Sequence, residues 1–519
     1  MEPIHRFSEA QIGKDMVCSV RDDIVPYVNG RLSTAIYSLA LAASISVWFL
    51  AIRAPLWLDE TSSFWQISGG FSRIMSRTGE LPPAYPYVLW LLSKVTGTSE
   101  VGLRMPSVVA MLAAAYLIFR TAREIFDLDV AMIVACLFCL NPVVAFASID
   151  ARPYALGAFA AASAIFLLVR LRRSDSDSLA AFFGVTSAVM VHFHLLFVVL
   201  LPFFAICFLI FKIGDRKLLF RQSLIAFAAF FLVLAPLIPD LIQTFKGRQT
   251  FVFGRRVPRL IDLGATVSPG WLMYIFALAL VAAAAATGRL NLRSLASDLR
   301  LWFCILLGPL PILVLYLVTT YTSTNIFVTR YRLIAIPGIA LTWGWLLSRI
   351  DSHLFRALFC VAAVSAAVYG FYSSPDSKQH GYTWKYALEI AEKNAATDNA
   401  SVLICSDFPS SDYFPMPDPS AVKDSGFFTP LSYYPLTVPV VGLPRAFNAE
   451  ARRIGSNFLL QATQRHERFL ALGFGPSYDT LRWLANLSSP SYEVRILGQP
   501  DGVAVLEFTP VQPATERIR

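Results

Sequence analysis

Apolar residues fill the first 372 positions in long blocks separated by short polar loops. A helix needs about 20 predominantly apolar residues to cross a bilayer. The pattern predicts eleven such spans: Thr34–Ile52, Val101–Thr121, Val130–Ala147, Tyr154–Val169, Leu179–Met190, Leu195–Phe211, Leu224–Ile238, Trp271–Thr287, Leu301–Thr320, Leu333–Leu347 and Ala357–Tyr372. The run Leu179–Phe211 holds two of them and is split at Val191–His194, where two histidines interrupt it. Tyr87–Val95 is apolar but too short to span, so it reads as a helix lying at the membrane interface.

The loops set an orientation. Arg120/Arg123, Arg170/Arg172/Arg173, Lys212/Arg216/Lys217/Arg221, Arg289/Arg293/Arg300 and Arg349/Arg356 fall in alternate loops, on the side of the N-terminal tail. Basic residues favour the cytoplasmic side. Residues 1–33 therefore read as a cytoplasmic tail, residues 34–372 as the membrane domain and residues 373–519 as an extracytoplasmic domain. The polar stretch before the first apolar run argues against a cleaved signal peptide and for a retained anchor. The expected outer side carries Arg53–Arg104, Asp150–Tyr154, Asp240–Gly270 and Tyr321–Arg332. A basic cluster there, Lys246, Arg248, Arg255, Arg256 and Arg259, runs against the charge bias. Either an anion binds it or the topology differs in that region.

After about Ser373 the pattern changes. Charges become frequent, Thr383–Ala395 has helical periodicity, and Ser401–Cys405, Tyr492–Leu497 and Val503–Phe508 read as strands. A small mixed α/β domain is expected, with 13 Lys and Arg against 15 Asp and Glu. The net charge of +9 over the 519 residues therefore belongs to the membrane part.

Composition agrees: 56% of residues are hydrophobic and 15% charged, against about 25% charged in soluble proteins. That excludes a soluble enzyme, a disordered chain and a disulfide scaffold, and the basic balance needs no nucleic acid to explain it. Five of the seven cysteines lie in apolar runs and one, Cys405, in the C-terminal part. No metal-ligand spacing is present, and Cys136 and Cys139 read as core residues.

Candidate chemistry gathers on the expected outer side. Trp57-Leu58-Asp59-Glu60 places two carboxylates just beyond the first span. They read either as a general base or cation anchor, or as acids in the first turn of an interfacial helix. A divalent cation is not required, although Asp59 and Glu60 could bind one. Three prolines, Pro82, Pro83 and Pro86, enter the interfacial helix with Tyr85 and Tyr87, which are interfacial aromatics or substrate-lining rings. Asp150-Ala151-Arg152-Pro153-Tyr154 is either a local ion pair or a carboxylate–guanidinium unit facing a cavity shared with Asp59. His192 and His194, at i and i+2, do not share a helix face, so a two-histidine metal site is not expected; one could donate to a phosphate or sugar, or they are satisfied interfacial histidines. Arg255, Arg256, Arg330 and Arg332 are candidates for a lipid phosphate, where guanidinium offers bidentate bonds.

Taken in this order, the pieces resemble the GT-C superfamily of integral-membrane glycosyltransferases, particularly bacterial relatives of protein O-mannosyltransferases and lipid A aminoarabinose transferases. The matching residues are Trp57-Leu58-Asp59-Glu60, Pro82-Pro83, Gly102-Leu103-Arg104-Met105-Pro106-Ser107 and Asp150-Ala151-Arg152-Pro153-Tyr154. His192-Phe193-His194 and Arg330-Tyr331 match more loosely. Glu80-Leu81 stands where relatives often carry a basic residue or histidine. The resemblance covers residues 34–372 and implies a polyprenyl-phosphate sugar donor. It also implies inverting transfer to a glycan, lipid or protein acceptor at the outer face of the cytoplasmic membrane. It makes Asp59 the catalytic base, with Glu60 and Asp150 supporting it. By the same resemblance Arg152 helps shape the pocket with Asp150, while the residues themselves make Tyr85, Tyr87, Arg104, Tyr154, His192, His194, Arg255, Arg256, Arg330 and Arg332 candidate substrate contacts. The alternative is a transporter or flippase of a lipid-linked or anionic substrate, which would place charges near the bilayer midplane and repeat its halves. Here the acids cluster at one face and no repeat is visible.

Overall fold

The computed structural model describes residues 34–78, 84–212, 216–246, 257–267, 298–322, 324–373 and 381–511, with isolated positions between 278 and 286. The N-terminal tail, Glu80-Leu81-Pro82-Pro83, Arg255, Arg256 and most of the expected span Trp271–Thr287 lie outside the described residues.

The membrane part is helical. Its elements are α1 (Thr34–Ala51), α2 (Leu58–Ser68), α3 (Ala84–Thr96), α4 (Glu100–Ile125), α5 (Leu128–Leu140) and α6 (Pro142–Ser148). They continue as α7 (Tyr154–Leu171), α8 (Asp177–Phe193), α9 (Leu195–Ile210), α10 (Phe220–Ile242) and α11 (Leu260–Val267). The last three are α12 (Leu299–Tyr321), α13 (Ile336–Ser348) and α14 (His353–Ser373). Among the described residues, α1, α4, α7, α10, α12 and α14 are long and apolar enough to cross a membrane, and α5 with α6 makes a seventh if the bent pair is one span. The chain is a multi-pass membrane protein. The described residues do not confirm the count of eleven: α8 and α9 are apolar but shorter, and α13 is a 13-residue helix preceded by the 3₁₀ turn Thr329–Ala335.

Two local features aim loops at one membrane face. Helices α5 and α6 meet at 69°. Pro142 cannot donate to α5, and Asn141 caps α6 by accepting the Val143 N–H. The chain then leaves α6 into the short loop that carries Asp150 and Arg152. Ser99 caps α4 by accepting the Gly102 N–H, and a Cβ at Gly102 would stand 2.5 Å from the Thr96 carbonyl. That close approach holds α3 against the start of α4.

The C-terminal unit is a five-stranded sheet of order β2-β1-β3-β5-β4, with β1 (Ser401–Cys405), β2 (Val440–Leu443), β3 (Phe469–Phe474), β4 (Tyr492–Gly498) and β5 (Val503–Pro510). β2, β1 and β3 run parallel; β5 and β4 are antiparallel to their neighbours. The expected strands and the helix Lys385–Ala395 form, and β2, β3 and the helices Ala449–Gln464 and Tyr478–Ser488 add to them. Alternate residues serve two cores, as a pleated strand requires. Val402 and Ile404 pack with Leu388, and Leu403 and Cys405 pack with Leu481 and Leu484.

This unit sits on α2. Thr61 Oγ1 lies 2.9 Å from Thr429 Oγ1, Tyr434 Oη accepts the Leu56 N–H at 2.8 Å, and Thr383 Oγ1 donates to the Leu56 carbonyl at 3.1 Å. Arg77 pairs with Asp424 at 2.6 Å.

Candidate active site

Trp57, with an extended backbone, precedes the first residue of helix α2. Asp59 and Glu60 therefore fall in its first turn, where the helix dipole favours acids. One turn of helix sends the two carboxylates to different environments.

Glu60 is fully buried. Its Oε2 accepts the Trp57 N–H at 3.3 Å and Arg104 Nη2 at 2.5 Å; its Oε1 accepts Arg104 Nε at 2.8 Å and the Ala151 N–H at 2.9 Å. Arg104 is equally buried and donates onward to the carbonyls of Ala51, Ile52, Ala54 and Pro55. The pair ties the end of α1, the start of α2, α4 and the Asp150 loop into one knot. Its lone pairs and protons are occupied inside the protein, so Glu60 and Arg104 are placed as a brace rather than on a substrate surface.

Asp59 faces the other way. Arg330 Nη1 donates to its Oδ2 at 2.7 Å, and both side chains keep some exposure, 33% for Arg330 and 19% for Asp59. Arg152 Nη1 donates to the Asp59 carbonyl at 3.2 Å and lies 3.4 Å from Ser63 Oγ. Arg330 lies over the Trp57 and Tyr331 rings, each 5.6 Å from its centroid. The Nε atoms of Arg152 and Arg330 are both buried without a hydrogen-bond partner. Asp59, Arg152 and Arg330 come from three separate segments and converge.

Behind them lies an aromatic and imidazole wall. Tyr154, at the start of α7, packs 5.0 Å from the His194 ring and 6.4 Å from Tyr331. His194 Nδ1 accepts the Leu196 N–H at 3.2 Å, so the neutral ring carries its proton on Nε2. Burial, and then the charges of Arg152 and Arg330, lower its pKa from 6.5 to about 3. His194 is thus a neutral donor at physiological pH.

The other expected residues take different places. Asp150 is buried, with Oδ1 accepting the Trp57 indole N–H at 3.0 Å and its carbonyl accepting from Ser107 at 2.6 Å. It orients Trp57 and the loop rather than facing an open cavity. His192 is 2.8 Å from the Val233 carbonyl and ties α8 to α10. Tyr85 is buried on α3 among the charges of Asp150, Arg152 and Glu60. Tyr87 packs on Phe71, with ring centroids 4.8 Å apart. Arg332 lies over Phe327 and reaches the Asp262 carbonyl of α11 at 3.4 Å. Among the described residues no three His, Cys, Asp or Glu side chains gather as metal ligands.

Sequence reading missed the contribution of the C-terminal unit. Gly381, at φ +76°, lies against Trp57: a Cβ there would stand 3.1 Å from the Trp57 Cβ and Cγ. The next residue, Tyr382, donates its hydroxyl to Asp407 Oδ2 at 2.8 Å. Burial pushes the Asp407 carboxyl above the usual carboxylate range, and the nearby Asp59 charge adds to this.

A separate cavity of 390 Å³ lies at the far ends of α4 and α7, lined by Glu124, Arg172, Arg173, Asp298 and Arg300 among others. It is about 30 Å along α4 from Arg104, and Arg173–Glu124 and Arg300–Asp298 ion pairs occupy its rim.

Comparison with known proteins agrees with this architecture. Residues 80–242 match the sequence model of the family Dolichyl-phosphate-mannose-protein mannosyltransferase. No curated protein matches in sequence. Among solved structures, ArnT from Cupriavidus metallidurans in the apo state is similar at a TM-score of 0.55 and 11% identity, over 92% of this chain and 98% of that one. The same protein bound to undecaprenyl phosphate gives 0.57 and 11%, over 91% and 97%. The chain therefore shares the fold of ArnT.

Proposed function

We propose that this protein is a glycosyltransferase that moves a sugar from a polyprenyl-phosphate donor to an envelope acceptor at the outer face of the cytoplasmic membrane. The observation that carries the reading is the arginine pair at Asp59. Arg152 and Arg330 each hold one end of their guanidinium on the Asp59 segment and leave a buried Nε–H unfilled. Buried donors are rarely left without a partner, and guanidinium groups suit phosphate oxygens. That ArnT is found with undecaprenyl phosphate supports the donor class.

The chemistry follows from these groups. A lipid phosphate is a good leaving group, so no nucleotide is needed. Arg152 and Arg330 hold the phosphate as the anomeric C–O bond breaks, and His194 Nε2–H is available as a neutral donor. Asp59 takes the proton of the acceptor hydroxyl while the oxygen forms the new bond to the anomeric carbon. Attack from the face opposite the phosphate inverts that carbon. The products are the glycosylated acceptor, the lipid phosphate and a proton passed from Asp59 to solvent.

The test is a transfer assay in proteoliposomes with the purified chain and undecaprenyl-phosphate sugars. Release of undecaprenyl phosphate together with a glycosylated product is the expected result. Movement of the intact lipid between leaflets, with its sugar–phosphate bond unbroken, would instead make the protein a flippase.

A further inference from the structure

The parallel strands of the C-terminal sheet end together. Cys405 of β1 pairs with Leu443 of β2. Asp407 and Arg445, each two residues further on, therefore leave the sheet side by side, on strands about 4.8 Å apart. On the other side Ile404 pairs with Leu472 of β3, so Gly475 stands level with Asp407. In open α/β sheets, ligands bind in the crevice beyond the carboxyl ends of the strands. Here that crevice carries an acid from the central parallel strand and a base from its neighbour.

The groups are held but not consumed. The Arg445 main chain is pinned on both sides: its N–H donates to Ser411 Oγ at 3.0 Å and its carbonyl accepts from Ser477 Oγ at 3.1 Å. Its side chain has no ion pair among the described residues, and its Nε is buried without a hydrogen-bond partner. Asp407 is 8% exposed; it accepts the Tyr382 hydroxyl, and the Trp384 indole lies beside it. Tyr382 stacks on Phe474, the last residue of β3, with ring centroids 4.4 Å apart and planes 3° apart.

The crevice also points at Asp59. Asp407 and Leu58, the residue before Asp59, line the same 10 Å³ gap, room for about one water, so the two segments are in close contact. Gly381, before Tyr382, lies on Trp57. Tyr382 and Asp407 both feel the Asp59 charge, and both feel that of Arg445.

We propose that Asp407, Arg445 and Tyr382 form the acceptor subsite, taking a carbohydrate whose hydroxyl is thereby presented to Asp59. The inference rests on the glycosyltransferase reading of Asp59. An acceptor-only carboxylate beside an all-donor guanidinium matches the paired donor and acceptor character of vicinal sugar hydroxyls. A peptide acceptor would be better served by a free sheet edge, where its backbone could join the ladder; the strand ends offer none.

The test is saturation-transfer NMR on the full chain in nanodiscs, with a panel of methyl glycosides as probes and an acetylated serine amide as the peptide-type control. The wild type is expected to bind at least one glycoside, and Asp407→Asn and Arg445→Lys to weaken it about tenfold or more. Asp59→Asn should leave it bound. Undecaprenyl-phosphate binding, measured on the same samples, should be unchanged in Asp407→Asn and Arg445→Lys, which reports that both variants fold. Glycoside binding that ignores both substitutions, binding of no glycoside, or binding of the serine amide alone would overturn the proposal. Loss of undecaprenyl-phosphate binding by the wild type, with glycoside binding intact, would sink the donor reading and leave the subsite standing.

Discussion

Arg330 Nη1 stands 2.7 Å from Asp59 Oδ2, across 271 residues of chain. The contact closes the membrane domain on itself at one face. It also sets a competition: the guanidinium that holds the carboxylate is one of the two available to a phosphate. The neighbouring acid, Glu60, has no such choice, because Arg104 and two backbone N–H groups fill it.

That difference gives opposite outcomes for adjacent residues. Glu60→Gln or Arg104→Met leaves one buried charge without its partner, at a cost of about 3–5 kcal/mol. A fall in the thermal unfolding midpoint of the detergent-solubilised protein is expected for either variant, with a smaller fall in the double variant. If Glu60→Gln unfolds like the wild type, the pair does not brace this fold.

Arg152→Ala and Arg330→Ala each remove one phosphate donor. Loss of a charged hydrogen bond costs about 1.5–3 kcal/mol, or about 10–100-fold in donor affinity. The apparent KM for the lipid donor should rise by that factor, while Arg332→Ala leaves it near the wild-type value. An equal effect of all three would mark a general charge requirement.

The histidine makes a prediction about pH. His194 has a pKa near 3 when folded and an ordinary value of 6.5. Below 6.5 the unfolded chain binds a proton that the folded chain refuses, so stability falls as pH drops from 6.5 toward 3 and is level above 6.5. His194→Gln should flatten that slope in urea unfolding and leave the pH–rate profile between pH 6 and 8 unchanged. A limb near pH 6.5 that disappears in His194→Gln would show that the imidazole titrates in the working range.

Gly381 tests the contact between the two parts. At φ +76° an L side chain costs about 1–2 kcal/mol, and its Cβ would press on Trp57. Gly381→Ala should shift the tryptophan emission and lower transfer. Unchanged transfer would separate the C-terminal unit from the site.

The sequence made the helices and the convergence of Asp59, Arg152 and Arg330 legible, because apolar runs and the side of the loops are written into the order of residues. It could not separate Asp59 from Glu60. Both sit in one helical turn, and only the distant Arg104 decides which is buried. His192 and His194 divide as their i, i+2 spacing allows, one to the Val233 carbonyl and one to the Tyr154 wall. Asp407 and Arg445 gave no signal of their own. Each follows a short apolar strand, and the one bounded by prolines, Val440–Leu443, reads as loop until its pairing with β1 is known.

The most direct measurement is glycosyl transfer by wild-type protein and Asp59→Asn in proteoliposomes supplied with undecaprenyl-phosphate sugar and membrane glycans. A general base removed should cost about 10²–10⁴-fold in rate, with unfolding midpoint and lipid-phosphate binding retained. Transfer by Asp59→Asn at the wild-type rate would contradict the account.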